Sequence, residues 1–285
     1  MKHIIYAAVL LTFVSCAESI QIADDDQDLE ALTMIIAETL SDKNDGFITE
    51  MYDFTTEFTG PKISSPAKGL ASSGPRPSHG KPQNFVKTYD PETGKHTLEF
   101  ERSFSNPMIS KSQQVHLEYI FTSTDGSFIE FPKNTPYATV SFMGVRTGSI
   151  STPRKSSTAE REANWLMSGF EPESDVITMS GLQSNQGSMV VSTKNGDLSK
   201  EYTLSMSFEN VTLDKSFRED STLENKLSGT IQFEMNAVHT LPNGEIKEKS
   251  NSGTIDLAGN GKALLRIMGI RKVFAIDLKD GDVES

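Results

Sequence analysis

The chain has 285 residues, with 39 acidic and 27 basic side chains and a formal net charge of −12. It contains one cysteine, Cys16, which excludes an internal disulfide and a zinc site built from cysteines. The acidic balance disfavours nucleic acid as a partner, and we expect none.

The first sixteen residues have the organisation of an export signal. A positive start at Lys2 and His3 precedes an apolar segment of eleven residues, 4–14. As a helix this segment would rise only about 16 Å, about half of the hydrocarbon core, so a membrane span is not expected. Residues 13–16 (FVSC) resemble the lipobox of bacterial lipoproteins, with phenylalanine where that family prefers leucine.

The lipobox resemblance implies how the protein is held in the cell. It places cleavage between Ser15 and Cys16, so that 1–15 is the signal peptide and Cys16 carries the lipid. The expected partner is membrane lipid, through acyl chains such as palmitate. In some families, an aspartate directly after the lipidated cysteine retains the protein at the inner membrane. This chain has Ala17 at that position, so the resemblance implies location at the outer membrane. The resemblance does not distinguish between the periplasmic side of the outer membrane and the cell surface.

An acidic leader follows over 16–59, with twelve acidic residues and one basic residue. From Asp28 onward, apolar side chains recur at helical spacing, and a second helix is expected over about 47–58. The intervening sequence DKNDG (42–46) superficially suggests a calcium loop, but its spacing does not supply the required oxygen ligands. We therefore predict a turn between two helices.

Residues 60–84 contain five prolines, four glycines and five serines. Such a composition does not build a packed core, so the segment is predicted to be a linker. His79 within it is not assigned a role.

From residue 85 to 285 the apolar pattern has a period of two, which is typical of strands with one buried face. Strands are expected at 97–104, 115–121, 202–208, 227–237 and 273–278, the last of which would close the chain. Residues 154–168 fit either a helix or a strand, and their neighbours favour a strand.

Turn dipeptides separate these strands and indicate antiparallel hairpins. They are Asp125-Gly126, Asn195-Gly196, Asn243-Gly244 and Asn260-Gly261, together with the longer turn at 90–94. The predicted fold is mostly β, an antiparallel meander of about 10–12 strands preceded by two short helices. A barrel, a sandwich and an open twisted sheet all remain compatible with the pattern.

Candidate catalytic and metal-binding groups are few. His96, His116 and His239 lie on predicted strands, and a hairpin centred near residue 109 would place the first two about 20 Å apart, too far to share a metal. The pairs Glu99/Glu101 and Glu171/Glu173 have a spacing that glycoside hydrolysis can use. Trp165, with Phe170 nearby, is interpreted as a core aromatic in preference to a sugar platform. We expect no metal and no cofactor.

The sequence thus predicts a lipid-anchored cell-envelope protein that presents a β domain for binding or structural purposes, not for catalysis. Its ligand is an unknown molecule of the cell surface or the periplasm. The first alternative is a lipocalin-like carrier of an apolar ligand, with a lumen lined by the Tyr202 and Leu227 stripes. The second is a glycan-processing enzyme with a pair of converging carboxylates.

Overall fold

A computed structural model describes residues 26–58, 82–193, 196–217, 222–241 and 243–284. Two helices precede a single antiparallel sheet in which each of twelve strands pairs with the next along the chain. The strands are β1 (Pro82–Asp90), β2 (Lys95–Ser105), β3 (Ser110–Thr122), β4 (Thr139–Ser151), β5 (Lys155–Ser168), β6 (Val176–Thr193), β7 (Gly196–Asp214), β8 (Leu227–Thr240), β9 (Ile246–Ala258), β10 (Lys262–Ile267), β11 (Val273–Asp277) and β12 (Val283–Glu284).

This architecture confirms the predicted antiparallel meander and decides between its three forms. The sheet is open, with β1 and β12 as its edges. The ambiguous stretch at 154–168 is strand β5, as favoured. The turn predicted at 90–94 joins β1 to β2, and Asn243-Gly244 and Asn260-Gly261 lie between consecutive strands.

Two details differ from the sequence-based expectations. Strand β1 begins at Pro82, inside the range assigned to the linker, and β12 follows the strand expected to be last. Both stretches are short or carry few apolar side chains, so their alternation is weak. The Asp125-Gly126 turn is confirmed as a short hairpin within the connection between β3 and β4, where Thr122 pairs antiparallel with Phe128.

The register of β2 against β3 also differs from the expected one. The turn is centred near residue 107, with Ser105 opposite Ser110, so that His116 faces Glu99. The side-chain oxygen of Asn106 accepts hydrogen bonds from the backbone N–H groups of residues 108 and 109, at 2.8 and 2.9 Å. This local turn fixes a tighter hairpin than the pattern of apolar residues indicates.

The two helices are α1 (Asp26–Leu40) and α2 (Phe47–Phe58), and they confirm both helical predictions. Their apolar side chains face one side of the sheet, here called the inner face, and share its hydrophobic core. The turn at 41–46 joins them, and Asp45 within it has a positive φ of 58°. A side chain at Gly46 would collide with the carbonyl of Ser41.

The sheet is strongly curled around these helices. In the turn at 41–46, the N–H of Asp42 donates to the carbonyl of Leu278, which directly follows β11. The next residue in the same turn, Lys43, accepts a hydrogen bond from the ammonium of Lys111 on β3. Eight strand spacings would separate β3 from β11 by about 38 Å in a flat sheet. One short turn touches both strands only because the sheet folds back on itself.

Aromatic packing fills one end of the inner face. Phe47 meets Trp165 edge-on with ring centroids 5.5 Å apart, and Phe54 stacks on Tyr119 at 5.7 Å. Trp165 is only 2% exposed, which agrees with its interpretation as a core residue. This cluster, here called the aromatic end, attaches helix α2 to strands β3 and β5.

Candidate functional site

The other end of the inner face is polar. Pairing of β4 with β5 places Arg146 directly opposite Arg161, and pairing of β2 with β3 places Arg102 opposite Gln113. Each of these residues occupies an inward position in the two-residue alternation of its strand. The register therefore gathers three guanidinium groups where apolar side chains would be expected.

Helix α2 supplies the carboxylates that face these arginines. The two oxygens of Asp53 accept hydrogen bonds from Arg102 Nη2 and Arg146 Nη2, at 2.8 and 3.0 Å. Glu50 Oε1 accepts from Arg161 Nη1 at 3.2 Å and lies 3.0 Å from Arg146 Nε, an ion pair without hydrogen-bond geometry. Three guanidinium groups thus share two carboxylates, which leaves one positive charge in excess.

Burial and charge act in opposite directions on this cluster. Burial alone would raise the pKa of Asp53, but the Arg102 and Arg146 guanidiniums outweigh it and hold that pKa below its ordinary value. Burial likewise opposes the charge on Arg146, yet Glu50 and Asp53 raise its pKa. Asp53 and Arg146 are therefore both ionised at neutral pH.

A cavity of about 90 Å³ lies next to the arginines, between the sheet and the end of helix α1. Gly148 and Ala159 contribute small residues to its sheet side, while Glu38 and Asp45 line it from the helical side. Larger residues at the two small positions would fill this space. We call it the basic cavity, since four cations and two carboxylates line it.

Several buried polar atoms of residues that line the basic cavity have no hydrogen-bond partner within the described part of the chain. They are the Nε and Nη1 of Arg102, the Nη1 of Arg146, the Nδ2 of Asn185 and the Oε1 of Gln113. Arg146 is 3% exposed and Asn185 is 4% exposed. A buried polar group without a partner costs about 1–3 kcal/mol, so these atoms favour a hydrogen-bonding occupant.

The walls of the basic cavity are held in place by further contacts. Arg161 donates through Nε to Asn185 Oδ1 at 3.1 Å and through Nη1 to the Asp45 carbonyl at 2.7 Å. Glu38 accepts a hydrogen bond from the ammonium of Lys155. Burial, reinforced by the nearby Glu38 charge, raises the pKa of the Tyr202 hydroxyl to about 12. Tyr202 therefore lines the cavity with an uncharged hydroxyl group.

The three candidate histidines do not come together. His96 lies on the inner face at the aromatic end, with Nε2 2.8 Å from the carbonyl of Ile129. His116 lies on the opposite face, where its Nδ1 is 3.0 Å from Glu99. His239 is buried on β8. Within the described ranges, no group of three or more histidine, cysteine or acidic residues has metal-site geometry.

The candidate carboxylate pairs also lie away from the basic cavity. Glu99 and Glu101 are exposed on the outer face, where Glu101 accepts a hydrogen bond from Asn84. Glu171 and Glu173 follow β5 in a connecting segment. Neither pair lines the basic cavity, and the carboxylates nearest to it are those of helices α1 and α2 and of their turn.

Arg102 lies in the strand expected at 97–104, but the sequence pattern did not identify the site. Arg146 and Asn185 continue the inward alternation of β4 and β6, and Glu50 and Asp53 lie beside the apolar stripe of α2. Charged residues at inward positions on a strand and a helix were the available signal. Their partnership depends on contacts about a hundred residues apart in sequence, such as the 93 residues between Asp53 and Arg146.

No protein-family model, no curated protein and no solved structure matches this chain. Neither helix in the described part of the chain is long and apolar enough to cross a membrane. Ser15 and Cys16, the predicted cleavage and lipidation residues, lie outside the described residues, as does His79.

Proposed function

We propose that the protein is a cell-envelope lipoprotein, attached to the outer membrane through Cys16, whose sheet binds a small polar ligand in the basic cavity. The anchor rests on the lipobox resemblance of residues 13–16. The binding role rests on one observation: Arg102, Arg146 and Asn185 line the cavity and carry buried N–H donors that have no partner within the described part of the chain.

The carrier and enzyme alternatives have less support than this binding role. The inner face around the Leu227 stripe belongs to the core shared with α1 and α2, so an apolar ligand would have to displace both helices. For a glycan-processing enzyme, the carboxylates would need one free acid and one free base or nucleophile. Glu50 and Asp53 are instead engaged by arginines.

The anchor is tested by fractionating cells that express the Cys16→Ala variant. Loss of the acyl chains removes the main membrane attachment, so the variant is expected in the soluble fraction. Ser15→Ala keeps a small residue before the cleavage site and is expected to stay with the membrane. Retention of Cys16→Ala in the membrane fraction would contradict lipid anchoring.

Display on the cell surface can be tested separately with trypsin. The 60–84 segment contains Lys62 and Lys68, which are potential cleavage positions, whereas Arg76 and Lys81 precede prolines and resist trypsin. If the protein faces outward, trypsin added to intact cells cuts there. Cleavage only after the outer membrane is permeabilised would place the protein on the periplasmic side.

The binding role is tested by thermal unfolding of the purified full chain with anionic, neutral and cationic small solutes. A bound ligand raises the unfolding midpoint, so at least one class is expected to stabilise the protein. The Arg102→Lys variant keeps the charge but removes the free guanidinium N–H groups, and it should lose this response. If no class stabilises the wild type, the binding role is wrong.

A further inference from the structure

We infer that the ligand of the basic cavity is a small oxyanion, a phosphate or carboxylate group. This inference rests on the proposed binding function and names its ligand class. It follows from the kind of atoms left without partners, from the local charge and from the size of the space.

The unpartnered atoms are mainly donors. Among the described residues that line the cavity, Arg102 offers Nε and Nη1, Arg146 offers Nη1 and Asn185 offers Nδ2, against the single acceptor Oε1 of Gln113. Glu50 Oε2 is also without a hydrogen-bond partner within the described ranges, but Glu50 does not line the cavity. Guanidinium N–H groups form their strongest hydrogen bonds with carboxylate and phosphate oxygens. A cationic or purely donating ligand would leave these groups unsatisfied.

The charge around the cavity favours an anion. Arg102, Lys111, Arg146 and Arg161 line it, and Glu38 and Asp45 are the acidic residues that do so. Both of these carboxylates already have cations nearby. Glu38 binds Lys155 and Asp45 lies 3.9 Å from Lys111. The excess positive charge is therefore on the guanidinium side of the cavity.

The size of the space suits a compact group. A cavity of about 90 Å³ is several times what one water needs, about 10–15 Å³ on the same measure. It holds a phosphate or carboxylate group but not a large ligand in full. Exposed serines such as Ser103 and Ser149 also line it, so the remainder of a larger molecule can extend toward solvent.

An oxyanion of this kind could be free in solution or belong to a lipid head group. Isothermal titration of the detergent-purified full chain separates the two sources. One arm uses inorganic phosphate and acetate, each against chloride at equal ionic strength. The second arm uses micelles of a sugar-head-group detergent, which carries no phosphate, with and without phosphatidic acid. Binding in either arm supports the inference and identifies the source, whereas binding in neither overturns it.

The decisive variant is Asn185→Asp. It keeps the oxygen that accepts from Arg161 but replaces the free N–H₂ donor with a negatively charged oxygen. Phosphate affinity is expected to fall by more than about tenfold. Asn164→Asp makes the same chemical change on the outer face of β5, where the side chain is exposed, and should bind phosphate like the wild type.

Arg102→Lys provides a second variant in case Asn185→Asp does not fold. It preserves the positive charge beside Asp53 and is expected to lower phosphate affinity by about tenfold. Equal phosphate affinity in the wild type and in a folded cavity variant would place any bound anion elsewhere and overturn the inference. If only a neutral or cationic solute stabilises the protein, and this stabilisation is lost in Arg102→Lys, the ligand is not an oxyanion. The proposed binding function would still hold.

Discussion

The aromatic end and the basic cavity end of the inner face hold the same helix by different means. At the aromatic end, Phe47 and Phe54 of α2 pack against rings of the sheet. At the other end, Glu50 and Asp53 of α2 meet three arginines. Apolar packing adds stability directly, whereas buried ion pairs roughly offset their own desolvation. The aromatic end therefore stabilises the fold, and the basic cavity end holds the proposed binding site.

The largest effect is expected at the aromatic end, for Trp165→Ala. The ring is buried against Phe47, Phe142 and Phe208, so its removal leaves a large cavity. The free energy of unfolding should fall by about 3–5 kcal/mol, as measured by chemical denaturation.

The adjacent residue gives a matched control for that loss. Leu166 points to the outer face and is 58% exposed, so Leu166→Ala should change stability by no more than about 0.5 kcal/mol. Equal losses in Trp165→Ala and Leu166→Ala would mean that the aromatic end does not carry the stability assigned to it.

At the basic end, Asp53→Asn is expected to cost about 3 kcal/mol, because it leaves Arg102 and Arg146 without their shared carboxylate. Asp256→Asn removes the partner of Arg266 in an exposed pair on the outer face. That change should cost about 1 kcal/mol or less. The two variants are compared by denaturant unfolding at neutral pH.

The same carboxylate makes stability depend on acid. The folded pKa of Asp53 lies below its ordinary value, so its contribution is present above the unfolded pKa, about 3.9. That contribution is lost as the pH falls through the lower, folded pKa. Wild-type protein should therefore lose more stability than Asp53→Asn in this acidic range. Parallel pH profiles for the two proteins would contradict the assignment.

A smaller pH effect is expected from His96 at the aromatic end. Burial lowers its pKa, so below about pH 6.5 the unfolded chain binds a proton that the folded protein does not. Stability should therefore fall as the pH drops from 7 toward the folded pKa of His96. His96→Gln should reduce this slope. As a control, His116→Gln changes a histidine whose side chain is 40% exposed. This variant should retain the pH dependence of stability that His96 contributes.

Much of the fold was predictable because it depends on local patterns. Leu32, Ile36 and Leu40 follow the helical period, and residues 227–237 follow the strand period over a full strand. Each pattern indicates which side chains are buried, and it depends only on residues that are neighbours in sequence. The antiparallel order of strands followed from short turns between neighbours.

The basic cavity was less predictable because it depends on register and curvature. The β2–β3 register is set by the Asn106 turn, which apolar alternation does not encode. Acidic residues on a helix, such as Glu50 and Asp53, are usually interpreted as solvent-facing. Only the curled sheet brings Arg102 and Arg146 within reach of them.

The central claim is that the guanidiniums of the basic cavity have N–H groups available for an oxyanion. Arginine side-chain NMR on the ¹⁵N-labelled full chain measures this directly. On addition of phosphate, the Nε–H signal of Arg102 is expected to shift while that of Arg266, paired with Asp256 on the outer face, stays in place. If the Arg102 signal does not respond, or if Arg266 responds equally, the claim is wrong.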